Sequence, residues 1–231
     1  MQIHADFSRR ASVTSDQHRW VASPQSGVER ALLDRVGEEK ARATSLVRYA
    51  AGSHFPHHLH PGGEEILVLS GTFSDGDGDF PAGWYLRNPP GSAHQPRSAE
   101  GATLFVKLWQ MQPGESRAVR IDTRNPSAWL QQAGREVCPL FSDGTEQVCL
   151  QRLVPGQALQ AELAQGAELL VLEGSVDMAG QLCERGSWVR LPAGDMPALC
   201  AGAQGATVYL KTGHLGPATL AAVAASAAWK A

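Results

Sequence analysis

An internal repeat constrains the fold of this chain more than any other feature of its sequence. Residues 101–107 return with conservative changes as residues 205–211, and residues 64–71 are echoed by residues 167–174. Repetition of this kind is typical of one structural unit that has been copied along a chain. The sequence therefore predicts two similar lobes. Further matched spacings join Trp20 to Val28 and Trp129 to Val137, and Gly71 to Gly83 and Gly174 to Gly186.

Each copy consists of short apolar runs that glycine, proline and aspartate interrupt. Many short strands with turn residues between them are typical of a sandwich or a barrel. We therefore predict an all-β protein with two tandem lobes, residues 1–112 and 113–231, joined by a polar connection over residues 112–128. The alanine-rich segment 218–228 predicts a short surface helix or a frayed end. In the first copy the predicted strands are residues 28–34, 44–49, 55–60, 64–69, 83–88 and 103–108.

Two of the predicted strands, those around Ile66 and Leu170, are apolar at every position. A strand of this kind is covered on both faces, whereas a half-exposed strand alternates apolar and polar residues. We expect the opposite sheet on one face of each strand, with the other lobe as a candidate cover for the second face.

Charge and composition argue against several classes of protein. The formal net charge is −3, and no cluster of Lys and Arg suggests binding to nucleic acid or to a membrane surface. No apolar segment has the length of a signal peptide or of a membrane span, so we expect a cytoplasmic protein. The cysteines form no C-x-x-C pair, and we expect reduced, buried thiols rather than disulfides. They are Cys138, Cys149, Cys183 and Cys200.

Three histidines and a glutamate in the first copy have a spacing that suits a metal site. His58 and His60 lie two residues apart, so on a strand both side chains point to one face, roughly 6.7 Å apart. The turn residues after His60 reverse the chain and return Glu64 to the same place. Even-numbered residues of the next strand then face inward, and His94 arrives from a separate hairpin. The sequence therefore predicts that His58, His60, Glu64 and His94 bind one divalent metal ion.

Three imidazoles and one carboxylate suit Zn, Fe, Mn or Ni. Two other histidines are weaker candidates: His54 shares the inward parity of His58, and His57 has the opposite parity and should face solvent. The aspartate-rich residues 75–79 do not fit a calcium-binding EF-hand loop, because Phe80 and Leu86 occupy positions that need glycine and glutamate. A tight hairpin turn explains that run better.

The second copy lacks these metal-binding residues. The positions of His58 and His60 are taken by Glu162 and Ala164, and Pro197 stands where the first copy has His94. Glu168 lies near the carboxylate position, one residue out of register with Glu64. We therefore predict that the second lobe binds no metal and has a structural or an effector-binding role.

The two metal-binding segments, residues 52–71 and 83–94, have the spacing of the two sequence motifs of the cupin superfamily, whose fold is a small jelly-roll barrel. The customary final Asn of the second motif is replaced here by Ser98. Residues 20–110 closely resemble the cupin lobe of ChrR-type anti-sigma factors. That resemblance implies a zinc ion bound by His58, His60, Glu64 and His94, and a part in the response to singlet oxygen and organic peroxides.

One feature of ChrR-type proteins has no counterpart in the sequence. They hold their sigma factor with a helical zinc domain built around His and a C-x-x-C pair, whereas the first cysteine here is Cys138. We therefore expect that this chain does not bind a sigma factor tightly by itself. A small-molecule ligand in the first barrel and a homodimer are both compatible with the pattern.

Three functions remain open from the sequence: a ligand- or oxidant-sensing cupin, a metal-dependent dioxygenase-type enzyme, and a binding module with a structural metal. Four protein ligands complete the tetrahedral coordination of zinc, whereas the same ligands leave two positions open around octahedral Fe, Mn or Ni. The identity of the metal would therefore separate these functions. For an enzyme, the candidates for the pocket wall are Trp84, Tyr85, Arg87 and Lys107.

Overall fold

The computed structural model describes residues 1–38, 40–112 and 114–226. The chain divides into two compact units. Lobe one contains Met1–Ala5, Arg19–Arg124 and the described residues from Ala222 onward, and lobe two contains Asp6–His18 and Asn125–Ala221. The structure thus confirms the predicted all-β fold with two lobes.

Strands dominate both lobes, and the helical elements are short. Single 3-10 turns occupy Ser15–Gln17 and Pro126–Ala128, and one α-helix, α1, covers Pro217–Ser226. The strands in chain order are β1 (Gln2–Ile3), β2 (Ala11–Val13), β3 (Trp20–Ala22), β4 (Val28–Gly37), β5 (Ala41–Tyr49), β6 (Ser53–His54), β7 (His58–His60), β8 (Glu64–Asp75), β9 (Gly78–Pro81), β10 (Trp84–Asn88), β11 (Ser92–His94), β12 (Arg97–Ser98), β13 (Ala102–Leu108), β14 (Val119–Asp122), β15 (Leu130–Gln132), β16 (Arg135–Ser142), β17 (Gln147–Leu153), β18 (Ala167–Met178), β19 (Gln181–Glu184), β20 (Trp188–Leu191) and β21 (Leu199–Thr212).

The main sheets of the two lobes have the same strand order. Lobe one follows β1-β4-β5-β13-β8-β10-β14, and lobe two follows β15-β16-β17-β21-β18-β20-β2, with antiparallel pairing throughout. In lobe one a second, small sheet pairs β7 with β11. The repeat in the sequence therefore corresponds to a repeat in topology.

An edge strand in each lobe comes from outside its main chain segment. In lobe two, β2 pairs with β20, although β2 lies near the N-terminus. In lobe one, β14 pairs with β10, although residues 112–128 were predicted to be a simple connection. The compact units therefore differ from a plain division between residues 112 and 113, because each lobe closes its edge with a short strand from the other half of the chain.

The interior of each barrel is apolar, and its strands follow the predicted parity. Ile66 and Val68 of β8 belong to the core of lobe one, and Leu169 and Val171 of β18 belong to the core of lobe two. Leu67, on the opposite face of β8, is also buried. Burial on both faces explains why these strands lack the alternation of a half-exposed strand.

One buried polar set recurs on the second face of these strands. In lobe one, Glu65 of β8 lies opposite Arg87 of β10 and Lys107 of β13, and the Arg87 guanidinium is 3.1 Å from the Glu65 carboxylate. All three side chains are buried. We call these residues the Glu–Arg–Lys set. Its members in lobe two, at the same pairing positions, are Glu168, Arg190 and Lys211.

Three smaller predictions can be compared with the structure. The hairpin turn in residues 75–79 is confirmed, because Asp75 pairs with Gly78 between β8 and β9. The alanine-rich segment forms α1 as far as Ser226, and the remainder of that prediction, Ala227 and Ala228, lies outside the described residues. Within the part of the chain that the structure describes, no helix combines the length and the hydrophobicity that crossing a membrane requires.

Candidate metal centre

The two strands of the small sheet place the histidines of lobe one side by side. His58 of β7 lies directly opposite His94 of β11, and His60 lies opposite Ser92. After β7 the chain turns through Gly62 and Gly63. Gly63 has a φ of 74°, which favours glycine, and a Cβ on Gly62 would be 2.2 Å from the ring of Trp109. This turn needs both glycines, and it leads straight into β8, whose first residue is Glu64.

The three histidine side chains converge on one point. The ligand nitrogens of His58, His60 and His94 lie within 4.8 Å of one another, and the Nε2 atoms of His60 and His94 are 2.9 Å apart. The ring centroids are separated by 4.7 to 5.1 Å. Among the described residues, this is the one group of three or more His, Cys, Asp or Glu side chains arranged to hold a metal ion.

Glu64 completes the set that the sequence predicts. Its Oε2 atom lies 3.5 Å from Nε2 of His60 and 3.5 Å from Nε2 of His94, and it also accepts a hydrogen bond of 3.1 Å from Asn88. Atoms that share one ion at metal–ligand distances of ~2.1 Å lie about 3.0 to 3.4 Å apart for bond angles of about 90° to 110°. The three histidines therefore fit a divalent metal ion in donor chemistry and arrangement, and the Glu64 carboxylate lies beside two of them.

Two of the histidines are held by contacts to their second ring nitrogen. Nδ1 of His58 lies 2.9 Å from the carbonyl oxygen of Pro56, and Nδ1 of His94 lies 3.2 Å from Oδ2 of Asp75. In a neutral ring whose Nδ1–H donates to such an oxygen acceptor, Nε2 is unprotonated and can bind a metal ion. Contacts of this kind orient the ring and raise the basicity of a metal ligand.

Asp75 is the functional residue that sequence reasoning missed. The sequence analysis assigns Asp75 to a tight hairpin turn, which by itself accounts for an aspartate at this position. No spacing rule connects Asp75 with His94. Asp75 is buried, and its second carboxylate oxygen accepts a hydrogen bond from the backbone N–H of Asp77. The turn that was correctly predicted therefore also fixes a carboxylate behind the cluster.

The local charges shift the pKa values of these groups in opposite directions. Burial lowers the pKa of His60, and the positive charges of His94 and His58 lower it further against the opposing effect of Glu64. Burial also disfavours the charged form of His94, but the hydrogen bond that His94 donates to Asp75 and the charge of Glu64 outweigh it and raise the pKa of His94. For Asp75, burial acts upward, yet the hydrogen bonds from His94 and Asp77 leave its pKa lowered.

The cluster lies in the wall of a cavity of about 520 Å³ inside lobe one. This volume lies within the range typical of sites for small ligands. Apart from the cluster, the lining contains both apolar and basic side chains, among them Tyr49, Phe55, Ile66, Leu104, Val106, Arg30, Arg35 and Lys40.

The residues suggested for the pocket wall do not line this cavity. Tyr85, Arg87 and Lys107 are almost fully buried, and Trp84 packs against the hydrophobic core. Strand parity is the reason, because Arg87 and Lys107 lie opposite Glu65, on the face of the sheet that points away from the barrel interior.

The weaker histidine candidates lie outside the cluster. His54, whose parity suggested a place in the pocket, is exposed and does not line the cavity. Its strand, β6, pairs with β12 instead of extending β7. His57 is exposed, as predicted.

Lobe two has none of these groups at the corresponding positions. Strand pairing makes Ala167 the counterpart of Glu64, because Ala167 lies opposite Leu191 of β20 as Glu64 lies opposite Asn88 of β10. Glu168 is thus the counterpart of Glu65, which explains its shift of one residue. By the same pairing Met178 replaces Asp75. The counterparts of the Glu64 carboxylate and of Asp75, the partner of His94, are both absent from the second barrel.

The fold and the histidine cluster define the class of the protein: it is a two-lobed cupin with a candidate metal centre in its first lobe. Residues 8–112 match the family of ChrR cupin-like domains. The chain has the cupin fold, and its first lobe resembles the ChrR cupin lobe. No curated protein sequence is significantly similar to this chain.

Solved structures share the fold at low sequence identity. A proposed dioxygenase from Nostoc punctiforme is 14% identical, with a TM-score of 0.69 over 88% of this chain and 82% of the other. The bacterial pirin YhhW from Escherichia coli, solved with nickel(II), is 15% identical, with a TM-score of 0.64 over 88% and 98%. Oxalate decarboxylase from Bacillus subtilis, with Mn(II) centres, is 12% identical, with a TM-score of 0.60 over 88% and 77%.

Proposed function

We propose that lobe one binds one divalent metal ion, zinc in the resting protein, through His58, His60, Glu64 and His94, and that this centre serves a sensory or regulatory role in the cytoplasm. The observation that carries the proposal is the convergence of three imidazoles, whose ligand nitrogens lie within 4.8 Å of one another, in the wall of a cavity. The carboxylate of Glu64 lies 3.5 Å from both His60 and His94. When bound, the ion would supply a positive charge in the cavity wall that an entering small molecule can interact with.

The residues of the chain have separate parts in this function. Pro56 and Asp75 fix the rings of His58 and His94 through their Nδ1 atoms. Asn88 holds the carboxylate of Glu64. The apolar wall around Ile66 and Val106 excludes water from the far side of the cavity, which favours a small ligand with apolar surface.

The identity of the metal is the first test of the proposal. Elemental analysis of protein purified from its own cells, without chelator or added metal, should find zinc as the dominant ion. Zinc with four protein ligands has a closed coordination sphere, which suits a sensor or a structural site. Iron, manganese or nickel in its place would contradict the zinc assignment.

Sensing makes a second prediction that separates it from a purely structural metal. If a small molecule is sensed through this centre, binding of the small molecule must change the affinity of the protein for the metal. The metal must change the affinity of the protein for the small molecule by the same factor. Metal titrations with and without an organic hydroperoxide should therefore give different dissociation constants. Identical constants would remove the sensory role proposed for oxidants and leave a structural metal.

A metal-dependent dioxygenase-type enzyme is the second candidate. The cavity beside the cluster favours it, as do fold neighbours that include a proposed dioxygenase and proteins with nickel or manganese. The same four side chains leave two positions open on an octahedral ion. Oxygen consumption by protein loaded with iron, manganese or nickel, and its loss in His58→Ala, would favour this function over sensing.

We further propose that the chain alone does not hold a sigma factor tightly. Within the described residues α1 is the one α-helix, and it covers only Pro217–Ser226. A stable complex needs a packed interface of about 1,200–2,000 Å² with apolar anchors, and the apolar strands β8 and β18 are buried. Co-purification with candidate sigma factors from the host tests this. A one-to-one complex that survives size-exclusion chromatography would contradict it.

A further inference from the structure

Lobe two contains a cavity of its own, of about 510 Å³, between the inner faces of β16, β17 and β21. We propose that this cavity binds a small organic carboxylate with a single negative charge, an apolar body and a hydroxyl group beside the carboxylate. The proposal goes beyond the metal centre and does not rest on it. It is carried by two buried polar side chains, Arg135 and Gln151, that have replaced apolar residues of the first barrel.

The pairing of the strands shows this replacement. Val47 of β5 lies opposite Leu104 in lobe one, and Gln151 of β17 lies opposite Val208, the repeat counterpart of Leu104. One strand further, Arg30 lies opposite Val47 and Val137 lies opposite Gln151. The repeat in the sequence matches Val28 with Val137. The strand pairing instead makes Arg30 the counterpart of Val137, two residues further along the chain.

The shift identifies the residue that lobe two has changed. Val28, two residues before Arg30, is buried in the core of lobe one. Arg135, two residues before Val137, occupies the same position in lobe two. An arginine has therefore taken the place of a buried valine at the inner face of a barrel. A charge at such a site is costly unless a partner stabilises it.

Arg135 has no such partner within the described residues. It is 8% exposed, its Nη2 donates one hydrogen bond of 2.8 Å to Oε1 of Gln160, and no carboxylate lies within ion-pair distance. Its Nε atom is buried and makes no hydrogen bond. A guanidinium presents its donors as a planar fork that matches a carboxylate. A guanidinium that lines the cavity without an ion-pair partner therefore points to a carboxylate ligand.

Gln151 lacks a hydrogen-bond donor for its side-chain oxygen, whereas the Nε atom of Arg135 lacks an acceptor. It is 4% exposed, and its Nε2 donates to the backbone oxygen of Gln160 at 2.9 Å, which leaves its Oε1 buried without a donor. Arg135 and Gln151 thus donate to the side-chain oxygen and the backbone oxygen of the same residue, Gln160. A ligand that satisfies both must offer a carboxylate to Arg135 and a hydrogen-bond donor, such as a hydroxyl, to Gln151.

The remaining wall selects the rest of the ligand. Val137, Val148 and Leu210 provide apolar surface along the cavity, which suits an apolar substituent. Glu162 also lines the cavity and would repel a second negative charge. These features together define a monoanionic 2-hydroxy carboxylate with an apolar side chain.

Calorimetric titration of the full chain with mandelate tests the site. Hydroxy acids also chelate metals, so the titration uses both chelator-treated wild type and the His58→Ala/His60→Ala variant. We expect saturable binding to one site per chain in both proteins. Arg135→Gln should weaken that binding at least about tenfold, because a hydrogen bond to a charged group is lost. Gln151→Leu should remove the preference for mandelate over phenylacetate, which lacks the hydroxyl. Neutral mandelamide should bind the wild-type protein no more tightly than mandelate binds Arg135→Gln.

A stability measurement separates a binding role for Arg135 from a structural one. If Arg135 is kept for a ligand, replacing the unpaired buried charge with an apolar side chain of similar length in Arg135→Met leaves the unfolding temperature of the ligand-free protein unchanged or raises it. A lowered unfolding temperature would assign Arg135 to the structure and overturn the proposal. The proposed carboxylate site is equally contradicted if mandelate shows no saturable binding to the wild-type protein, or if mandelate binds Arg135→Gln as tightly as wild type.

Discussion

The two lobes share a frame and differ in what the frame holds. Strand order, strand pairing and the buried Glu–Arg–Lys set recur in both lobes. A surface cluster recurs as well: in lobe one the Arg48 guanidinium lies 3.9 Å over Trp20 and 3.6 Å from Glu29. Its counterparts in lobe two are Arg152, Trp129 and Glu136. The histidines do not recur, so this fold does not require them, and their convergence in lobe one needs a functional explanation.

The residues that differ between the lobes have changed as a unit. Lobe two lacks the two histidines of β7, the carboxylate of Glu64, and also Asp75, which accepts a hydrogen bond from His94 in lobe one. Loss of a supporting residue together with the residues it supports is expected when one function has disappeared. In the same barrel Arg135 and Gln151 have appeared at positions that are apolar in lobe one, so the second cavity has its own chemistry.

The largest expected effect concerns the metal itself. The His58→Ala/His60→Ala variant should lose essentially all bound metal, because two of the four ligands are removed. The matched control in lobe two is Glu162→Ala, at the position that corresponds to His58, and its metal content should equal that of wild type. Metal that persists in the double variant would break the contrast between the lobes.

The shared frame should respond alike in both lobes. Arg87→Ala leaves the buried carboxylate of Glu65 without its partner at 3.1 Å, and we expect the free energy of unfolding to fall by about 3–5 kcal/mol. Arg190→Ala, its counterpart in lobe two, should cost a similar amount. Chemical denaturation measures both losses. A variant that is as stable as wild type would show that its arginine is not part of the frame.

Acidification should weaken metal binding in lobe one. The histidines must be neutral to bind, and protons compete for each of them. An unperturbed histidine has a pKa of about 6.5. Because the pKa of His94 is raised, protons compete for His94 already at a higher pH than for an ordinary histidine. Because the pKa of His60 is lowered, His60 is protonated only at a lower pH. We expect the affinity to fall by about a hundredfold between pH 7.5 and 5.5. A flat curve from metal titrations over this range would exclude these histidines as ligands.

Removal of the residue behind the cluster should have a smaller effect. Asp75→Asn keeps the size of the side chain but removes the negative charge that accepts the hydrogen bond from Nδ1–H of His94. Loss of such a partner typically weakens metal affinity about 10–100-fold. Competition with a chromophoric chelator measures the change. Met178→Ala, at the corresponding position of lobe two, is the control and should leave the affinity unchanged. An unaltered affinity in Asp75→Asn would show that Asp75 does not support the site.

The sequence predicted the fold and the convergence of the three histidines because both follow from local rules. Period-two parity places His58 and His60 on one face, and the glycine turn returns the chain at Glu64. Parity also explains the error for Arg87 and Lys107. On a strand that is covered on both faces, burial does not reveal which charged residue faces the barrel interior.

Contacts that depend on three-dimensional pairing were beyond these rules. Asp75 reaches His94 through a hairpin, and the two residues share no motif. Arg135 was missed because the turn before β16 is shorter than the turn before β4, which shifts the pairing by two residues relative to the matched tryptophans. Without that pairing, a buried arginine near a surface turn resembles an ordinary polar residue.

The most direct test of the metal assignment is anomalous diffraction from crystals of the native protein, with data collected above and below the absorption edge of the metal found by elemental analysis. The account predicts one anomalous peak per chain, about 2.0–2.3 Å from the coordinating nitrogens of His58, His60 and His94 and from a carboxylate oxygen of Glu64. A second peak in lobe two, or a single peak away from these four side chains, would contradict it.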